Sequence, residues 1–207
     1  MIGSLRTITP PAEEPLSLDE VRLHLRITQT DEEDLLQSYL SALRIHAEKI
    51  LDLAFLTQTL EWAIDAFPVV DFCDGYEDTW AAIELPRPPL QSVTSITYVD
   101  PAGAPQALSA GLYLVDTRST PGRIVPAFGQ NWPAIREQPS SVVVKYVAGS
   151  LNVGVLPEDQ KQMMRLAVGT LFQFREGIVT GSGGETLPHS TELLEQFFAP
   201  YRNALAV

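Results

Sequence analysis

The feature that most constrains the fold is a junction between a β-strand and a helix in residues 142–177. Residues 142–147 have the sequence Val-Val-Val-Lys-Tyr-Val, which is typical of a largely buried strand, and Gly149 ends that strand. A short loop leads to Pro157, which suits the start of a helix, and Glu158 and Asp159 favour a helix N-terminus. The junction contains no phosphate-binding loop, metal-ligand cluster or nucleophile. It therefore predicts a structural part rather than a catalytic one.

The N-terminal part of the chain has the pattern of two helices. Residues 17–20, Ser-Leu-Asp-Glu, form a capping box and predict a short helix that runs to about Ile27. Residues 30–33, Thr-Asp-Glu-Glu, form a second capping box and predict a long helix that runs to about Phe55. Apolar residues keep helical spacing along the long helix, but others, such as Ile45, lie off that stripe. The long helix is therefore expected either to be buried on two sides or to present one face to a partner.

The middle of the chain changes to the alternation and turn signals of short β-strands. Thr59–Phe67 and Trp80–Leu85 predict a hairpin around the acidic segment 71–78. Pro121 and Gly122 are placed for a type II turn. Further strands are predicted at Val93–Val99, Tyr113–Asp116, Ile124–Val125 and Ser141–Val147, with a turn at Asp100–Gly103.

The C-terminal part is predicted to be helical again. Gly169 lies in the interior of the helix that follows Pro157, where glycine costs about 1 kcal/mol relative to alanine. We therefore expect another element to pack closely against Gly169. Residues 177–187 are rich in glycine and predict a mobile loop. A last helix is predicted from about Ser190, and Pro200 should kink or end it.

Together these patterns predict an α+β fold. A helical body of two N-terminal and two C-terminal helices carries an inserted antiparallel β-module. The predicted divisions are an extended N-terminal arm at residues 1–16, the helical body at 17–57 and 149–207, and the β-module at 58–148. With 45% hydrophobic residues, the chain can bury a substantial core.

The strongly acidic charge of the chain limits its partners. The sequence has 14 basic and 26 acidic residues and a net charge of −12. Such a surface repels DNA phosphates, which argues against gripping nucleic acid but not against lining a channel through which DNA slides. The first residues lack the apolar core of a signal peptide, and no apolar run approaches the roughly 18 residues of a membrane span. We therefore expect a soluble protein that is not exported by the usual route.

Residues with potential chemistry are present but form no recognisable site. Cys73 is the only cysteine, which excludes an internal disulfide and a cysteine-based metal site. The acidic segment 71–78 lacks the ligand spacing of an EF-hand, and Gly181–Gly184 lacks the residues that complete a phosphate-binding loop. No cofactor and no metal is therefore predicted. The histidines lie on different predicted elements, which favours packing or surface roles for His24, His46 and His189.

A catalytic alternative stays open at this point. Glu61 and Asp65 alternate along a predicted strand and should share one face of it. Two carboxylates can act as general acid and base, so the alternative is a small hydrolase. A deep cleft around the two side chains would support it. A thiol dyad of Cys73 with a distant histidine is a weaker form of the same idea.

Two groups of residues are candidates for contacts with other proteins. Arg118 and Arg123 flank the predicted Pro121–Gly122 turn, and they are either solvated charges or contacts to an acidic neighbouring subunit. The end of the chain is rich in apolar side chains and either packs on its own long helix or docks into another protein. The residues of this candidate docking site are Phe197, Phe198, Tyr201 and Arg202.

The order and spacing of four stretches resemble a known family, the head–tail connector (adaptor) proteins of tailed bacteriophages, in the larger variety found in many prophages. The stretches span nearly the whole chain. They are Pro15–Leu25 with Asp31–Leu36, Leu85–Tyr98, Val144–Gly149 with Leu156–Asp159 and the helix to Gly177, and Leu193-Leu194 with Pro200–Arg202.

The resemblance implies a structural role without enzymatic activity. Such proteins form a ring of roughly a dozen copies beneath the portal protein, extend the DNA channel and offer a surface to the tail or a head-closure protein. The implied location is the neck of the virion, with the host cytoplasm as the place of assembly. Another virion part, such as a head-closure or tail-completion protein, is the alternative. The smaller family members are almost wholly helical, so the β-module at about residues 58–148 departs from them.

Overall fold

The computed structural model describes residues 3–29, 31–69 and 81–173, and it divides the chain into two compact units. The β-unit comprises Met1–Pro11 and Thr57–Gly149, and the helical unit comprises Ala12–Leu56 and Ser150–Val207. The fold is α+β, as predicted. In chain order the elements are β1 (Gly3–Thr9), α1 (Leu18–Leu25), α2 (Glu33–Leu51), β2 (Gln58–Ile64), β3 (Ile83–Glu84), β4 (Leu90–Val99), β5 (Pro105–Ala107), β6 (Tyr113–Asp116), β7 (Arg123–Pro126), β8 (Val142–Ala148) and α3 (Glu158–Gln173), with single 3-10 turns at Ala110–Leu112 and Val153–Val155.

The β-unit contains two antiparallel sheets. Five strands form one sheet in the order β1–β2–β8–β4–β5, and three strands form the other in the order β3–β7–β6. Successive residues of β8 alternate between buried and half-buried, because one face of the strand packs into the core. The core of this unit includes Leu60, Ile64, Ile83, Leu85, Ile96, Ile124, Val142, Val144 and Tyr146.

The predicted hairpin between Thr59–Phe67 and Trp80–Leu85 is wrong. Strand β2 pairs with β1 and β8, whereas β3 pairs with β7 in the smaller sheet. Strand β2 pairs with β8 rather than β3 because β8 is the longer strand. Strand β8 pairs with β2 along all seven residues, from Gln58 opposite Ala148 to Ile64 opposite Val142. Strand β3 has only two residues and offers far fewer backbone hydrogen bonds.

Part of the segment predicted as an extended arm, residues 1–16, is a β-strand. Gly3–Thr9 form β1, which pairs antiparallel with β2 and is an edge strand of the larger sheet. The consecutive β-branched residues of Thr7–Thr9 favour a strand, and the register with β2 shifts between Thr7 and Thr9. The first residues of the chain therefore belong to the β-unit, and residues from Ala12 onward belong to the helical unit.

One of the two predicted turns forms as expected. The N–H of Gly103 donates to the carbonyl of Asp100 at 2.9 Å, and Gly103 has a φ of 90° that glycine tolerates. The type II turn at Pro121–Gly122 is wrong, because Gly122 does not have the positive φ that this turn needs. Glycine is instead required there by space, since a Cβ would collide with the side chain of Leu90.

The helical unit starts with the predicted capping box. The Ser17 hydroxyl accepts from the Glu20 N–H at 3.2 Å, and the Glu20 carboxylate accepts from the Ser17 N–H at 2.8 Å. The second predicted capping box is wrong, because the N-cap of α2 is Glu32, which makes no side-chain cap bond. Helix α2 ends at Leu51 and not near Phe55, since Asp52 adopts a left-handed conformation.

Apolar residues from all three helices and from the segments that follow them form one core in this unit. Its buried members are Leu16, Val21, Leu36, Leu40, Leu43, Ala47, Leu51, Leu53, Phe55, Leu56, Leu156, Met163, Met164, Ala167 and Val168.

The expected close packing against Gly169 is confirmed. A Cβ at Gly169 would lie 3.5 Å from His24 and 3.7 Å from Leu25, so helix α1 passes directly over this point of α3. His24 is exposed and borders this contact. The second predicted C-terminal helix, from Ser190, and the loop at 177–187 lie outside the described residues.

Candidate assembly surfaces

The titratable side chains of the described residues are spread over both units. Within residues 3–29, 31–69 and 81–173, no three His, Cys, Asp or Glu side chains are placed to hold a metal ion. Over the same ranges, none of the helices has the length and apolar character needed to cross a bilayer.

The carboxylates of Glu61 and Asp65 have separate partners. Glu61 accepts from Arg6 Nε at 2.7 Å and lies 3.8 Å from Lys145 Nζ, so three neighbouring strands are linked by an ion-pair row. Asp65 lies beyond the end of β2 and accepts from the backbone N–H of Ser140 at 2.8 Å. The arrangement explains why Glu61 is buried although charged, and it offers no acid–base pair for hydrolysis.

Arg118 and Arg123 are held differently around one turn. Asp116 accepts from the N–H of Arg118 at 3.0 Å, from the Ser119 hydroxyl at 2.6 Å and from Arg123 Nε at 3.0 Å. The Ser119 hydroxyl, followed by the Arg118 N–H, holds the pKa of Asp116 well below its usual range. Arg123 is thus engaged within the chain. The Arg118 side chain is exposed and has no hydrogen bond or ion pair to any other described residue.

The β-unit also contains a groove, here called the aromatic groove, with a volume of about 650 Å³. Among its lining residues, the rings of Phe67 and Trp132 stack with centroids 4.8 Å apart and planes inclined by 6°. Trp132 is fixed further, because its Nε1–H donates to the carbonyl of Ala81 at 2.7 Å. The residues that define the groove are Asp65, Phe67, Trp132, Pro133, Glu137 and Pro139.

An exposed apolar edge lies on the smaller sheet. Among the strands that the structure describes, β6 pairs with β7 alone, and its Leu114 is 57% exposed. Leu112 is 38% exposed, and its carbonyl accepts from the N–H of Ala127, next to the fully exposed Phe128. Exposed apolar side chains on an unpaired strand edge are typical of association surfaces.

The helical unit contains a buried ion network that the sequence analysis missed. Arg44 Nε donates to Glu14 at 2.8 Å, and Arg44 Nη1 donates to Glu48 at 3.4 Å. The exposed fractions of the Arg44, Glu14 and Glu48 side chains are only 7%, 13% and 1%. Glu48 also accepts from the N–H of Phe55 at 3.2 Å. The sequence signal that could have indicated this network is the four-residue spacing of Arg44 and Glu48 within an apolar stripe of the helix.

A second ion network links α1 and α3. Arg165 donates to Glu158 at 2.6 Å and to Glu20 at 3.3 Å. The N–H of Ser17, with further hydrogen bonds from the Ser17 hydroxyl and Arg165, lowers the pKa of Glu20. The hydrogen bond to Glu158 is the main cause that raises the pKa of Arg165. Glu20 therefore both caps α1 and ties it to α3.

The candidate docking residues at the end of the chain lie outside the described residues, namely Phe197, Phe198, Tyr201 and Arg202. The same holds for Cys73, for the acidic segment 71–78, for Gly181–Gly184 and for His189.

Part of the chain matches a known family of proteins. Residues 15–97 match the family model described as phage gp6-like head-tail connector protein. The chain resembles these connectors. The matched range takes in α1 and α2 of the helical unit and extends through β2 and β3 into β4, so the resemblance expected from the sequence is confirmed. No curated protein matches the chain.

Solved structures of gene transfer agent (GTA) particles share the fold. A chain in the virion of a native GTA particle is 22% identical with a TM-score of 0.66, and the match covers 94% of both chains. A chain in the neck of an empty GTA particle, computed with C6 symmetry, is 24% identical with a TM-score of 0.65 over 94% of both chains. A chain in the neck of a native GTA particle, computed with C12 symmetry, is 24% identical with a TM-score of 0.61, over 95% of this chain and 94% of that one. Because coverage is nearly complete, the β-unit is shared with these chains.

Proposed function

We propose that this chain is a structural neck protein of a phage-like particle, which joins the portal and head to the tail as a ring that extends the DNA channel. The observation that carries the proposal is the fold match over 94% of the chain to proteins in GTA neck structures. The match of residues 15–97 to the connector family supports the same role. One of the matching necks was computed with C12 symmetry, which favours a ring of about a dozen copies.

The charge of the chain supports a channel through which DNA passes without sequence-specific binding. A net charge of −12 disfavours tight contact with phosphates, so DNA can slide past the protein during packaging and ejection. The proposal includes no enzymatic activity, no cofactor and no membrane partner. It places assembly in the host cytoplasm and the mature protein in the virion neck.

The partners in this proposal are the portal protein on one side and a tail or head-closure protein on the other. We assign docking to the aromatic end of the chain, at Phe197, Phe198, Tyr201 and Arg202. Phe197→Asp together with Phe198→Asp should abolish head–tail joining and leave the circular dichroism spectrum unchanged. Joining that survives both substitutions would refute this assignment.

The experiment that tests the function is a solution-mass measurement by light scattering over a concentration series, followed by imaging. We expect a discrete species of about twelve copies, formed either by the chain alone or after addition of the portal protein. Co-sedimentation with the portal protein tests the second case. A chain that remains monomeric and does not bind the portal protein would refute the connector role. Binding to tail proteins alone would instead identify a tail-completion protein.

A further inference from the structure

We infer that, in the proposed ring, the Arg118 side chain of one copy binds in the aromatic groove of the next copy. The inference rests on the proposed function, because it assigns the two sides of one subunit contact. A ring is built from heterologous contacts, in which two different patches of each subunit meet. The β-unit offers one basic patch and one acidic aromatic patch at separate places.

Arg118 is suited to the role of the inserted side chain. Its backbone is fixed, because Asp116 accepts from the N–H groups of both Arg118 and Ser119, at 3.0 and 3.2 Å. Its side chain is exposed and has no partner within the described part of the chain. Neighbouring Arg123 is already paired with Asp116. Because the backbone of the turn is already fixed, binding has to order only the Arg118 side chain.

The aromatic groove is suited to receive a guanidinium. Asp65 and Glu137 place two carboxylates at a groove that contains the Trp132 ring. A guanidinium can stack on an indole and bind a carboxylate at the same time. Glu137 is exposed and has no ion pair with any residue that the structure describes. The carboxylates and the aromatic surface therefore favour a cationic side chain as the occupant, and a volume of about 650 Å³ leaves room for one.

A second copy of the chain is the source of that side chain. Within one copy, no hydrogen bond or ion pair joins Arg118 to Asp65 or Glu137 among the described residues. Both partners lie in the β-unit, so every copy carries one donor and one acceptor. A contact of this kind leaves an unused donor on one side and an unused groove on the other, which the next copies fill until the ring closes.

A charge-swap experiment tests the contact on the full-length chain. Arg118→Glu and Glu137→Arg are each expected to raise the concentration needed for half-assembly by about tenfold or more, because each places like charges together. The double variant Arg118→Glu with Glu137→Arg restores the opposite charges and should return assembly to near the wild-type concentration. Lys49→Glu is the matched control, since Lys49 is exposed on α2 and its reversal changes net charge equally. Circular dichroism confirms folding of each variant.

Each outcome decides the inference. Assembly of Arg118→Glu at the wild-type concentration overturns it, and so does a double variant that fails to recover while remaining folded. Loss of assembly for Glu137→Arg alone shows that the groove binds something other than Arg118, such as another segment of the chain, and also overturns it. A wild-type chain that forms no ring alone or on the portal protein refutes the proposed function itself. A wild-type ring that is insensitive to Arg118→Glu refutes only this contact.

Discussion

Replacement of Arg44 by methionine tests the idea that the buried ion network holds the helical unit together. Arg44→Met keeps an unbranched apolar stem but removes the guanidinium between two carboxylates. Glu14 and Glu48, whose side chains are 13% and 1% exposed, would then lose the cation that Arg44 supplies to a poorly hydrated site. Removal of one partner from a buried ion pair costs about 3–5 kcal/mol, so we expect a loss of free energy of unfolding of that size.

Arg22→Met is the matched control, because it removes the same charge from the same unit. The Arg22 and Glu33 side chains are 24% and 36% exposed, and their ion pair, 2.8 Å long, lies near solvent. Its loss should cost about 1 kcal/mol or less. The comparison therefore isolates burial as the cause.

The assay is guanidinium chloride unfolding with two signals. Ellipticity at 222 nm follows mainly the helical unit. Tryptophan fluorescence follows the β-unit, because all three tryptophans lie within residues 57–149. For Arg44→Met we expect the ellipticity midpoint to fall by about 1 M, and for Arg22→Met by about a quarter of that. Equal midpoints for the two variants would refute the reasoning.

Three further predictions concern single side chains. Gly169→Ala should raise the free energy of unfolding, measured in guanidinium chloride, by up to about 1 kcal/mol. The reason is that the new Cβ meets α1 at an ordinary contact distance. A free energy of unfolding below that of the wild type would contradict this prediction. Gly122→Ala should lower the free energy of unfolding by about 1–3 kcal/mol, because the new Cβ collides with Leu90. An unchanged thermal midpoint, followed by tryptophan fluorescence, would count against this close packing. The pKa of Glu20 is lowered from 4.5, so its stabilisation is complete above that pH and is lost as the pH falls below it. Glu20→Gln should therefore lower the unfolding midpoint near neutral pH and lose this effect in acid; a pH-independent difference would exclude the ionised carboxylate as the cause.

Local features of the fold could be predicted from the sequence because short-range physics determines them. The Ser17–Glu20 capping box needs only residues three apart, and the turn at Asp100–Gly103 needs only four residues. The buried strand β8 is indicated by its own β-branched residues. In each case the competing conformations are local too, so composition and spacing suffice.

Pairings across long distances could not be predicted in the same way. Alternating apolar residues indicate that β2 is a strand but not that its partners are β1 and β8, because any strand edge can supply the same backbone hydrogen bonds. The Arg44–Glu14 pair joins residues 30 positions apart, and charge alone does not show burial. The aromatic groove likewise depends on Phe67 and Trp132 meeting in space.

The junctions of the two units explain how the helical unit can accommodate the long segment 57–149 between two of its own segments. Within the β-unit, the Gln91 side chain donates to Thr57 and to the Gly149 carbonyl, at 2.7 Å each. Within the helical unit, the N–H of Ser150 donates to the carbonyl of Phe55 at 3.1 Å. The segment 57–149 therefore leaves and returns at neighbouring points, so it spans no extra distance in the helical unit and adds little loop-closure cost there.

Strand β1 makes this module more than a simple insertion. Residues 3–9 precede the helical unit in sequence but complete the edge of the larger sheet, beside β2. If residues 57–149 were removed, β1 would lose the only strand with which it pairs in the described structure. The module and the N-terminal strand must therefore be gained or lost together. Any dissection of the chain into folding units has to keep residues 3–9 with 57–149, although α1 and α2 lie between them in the sequence.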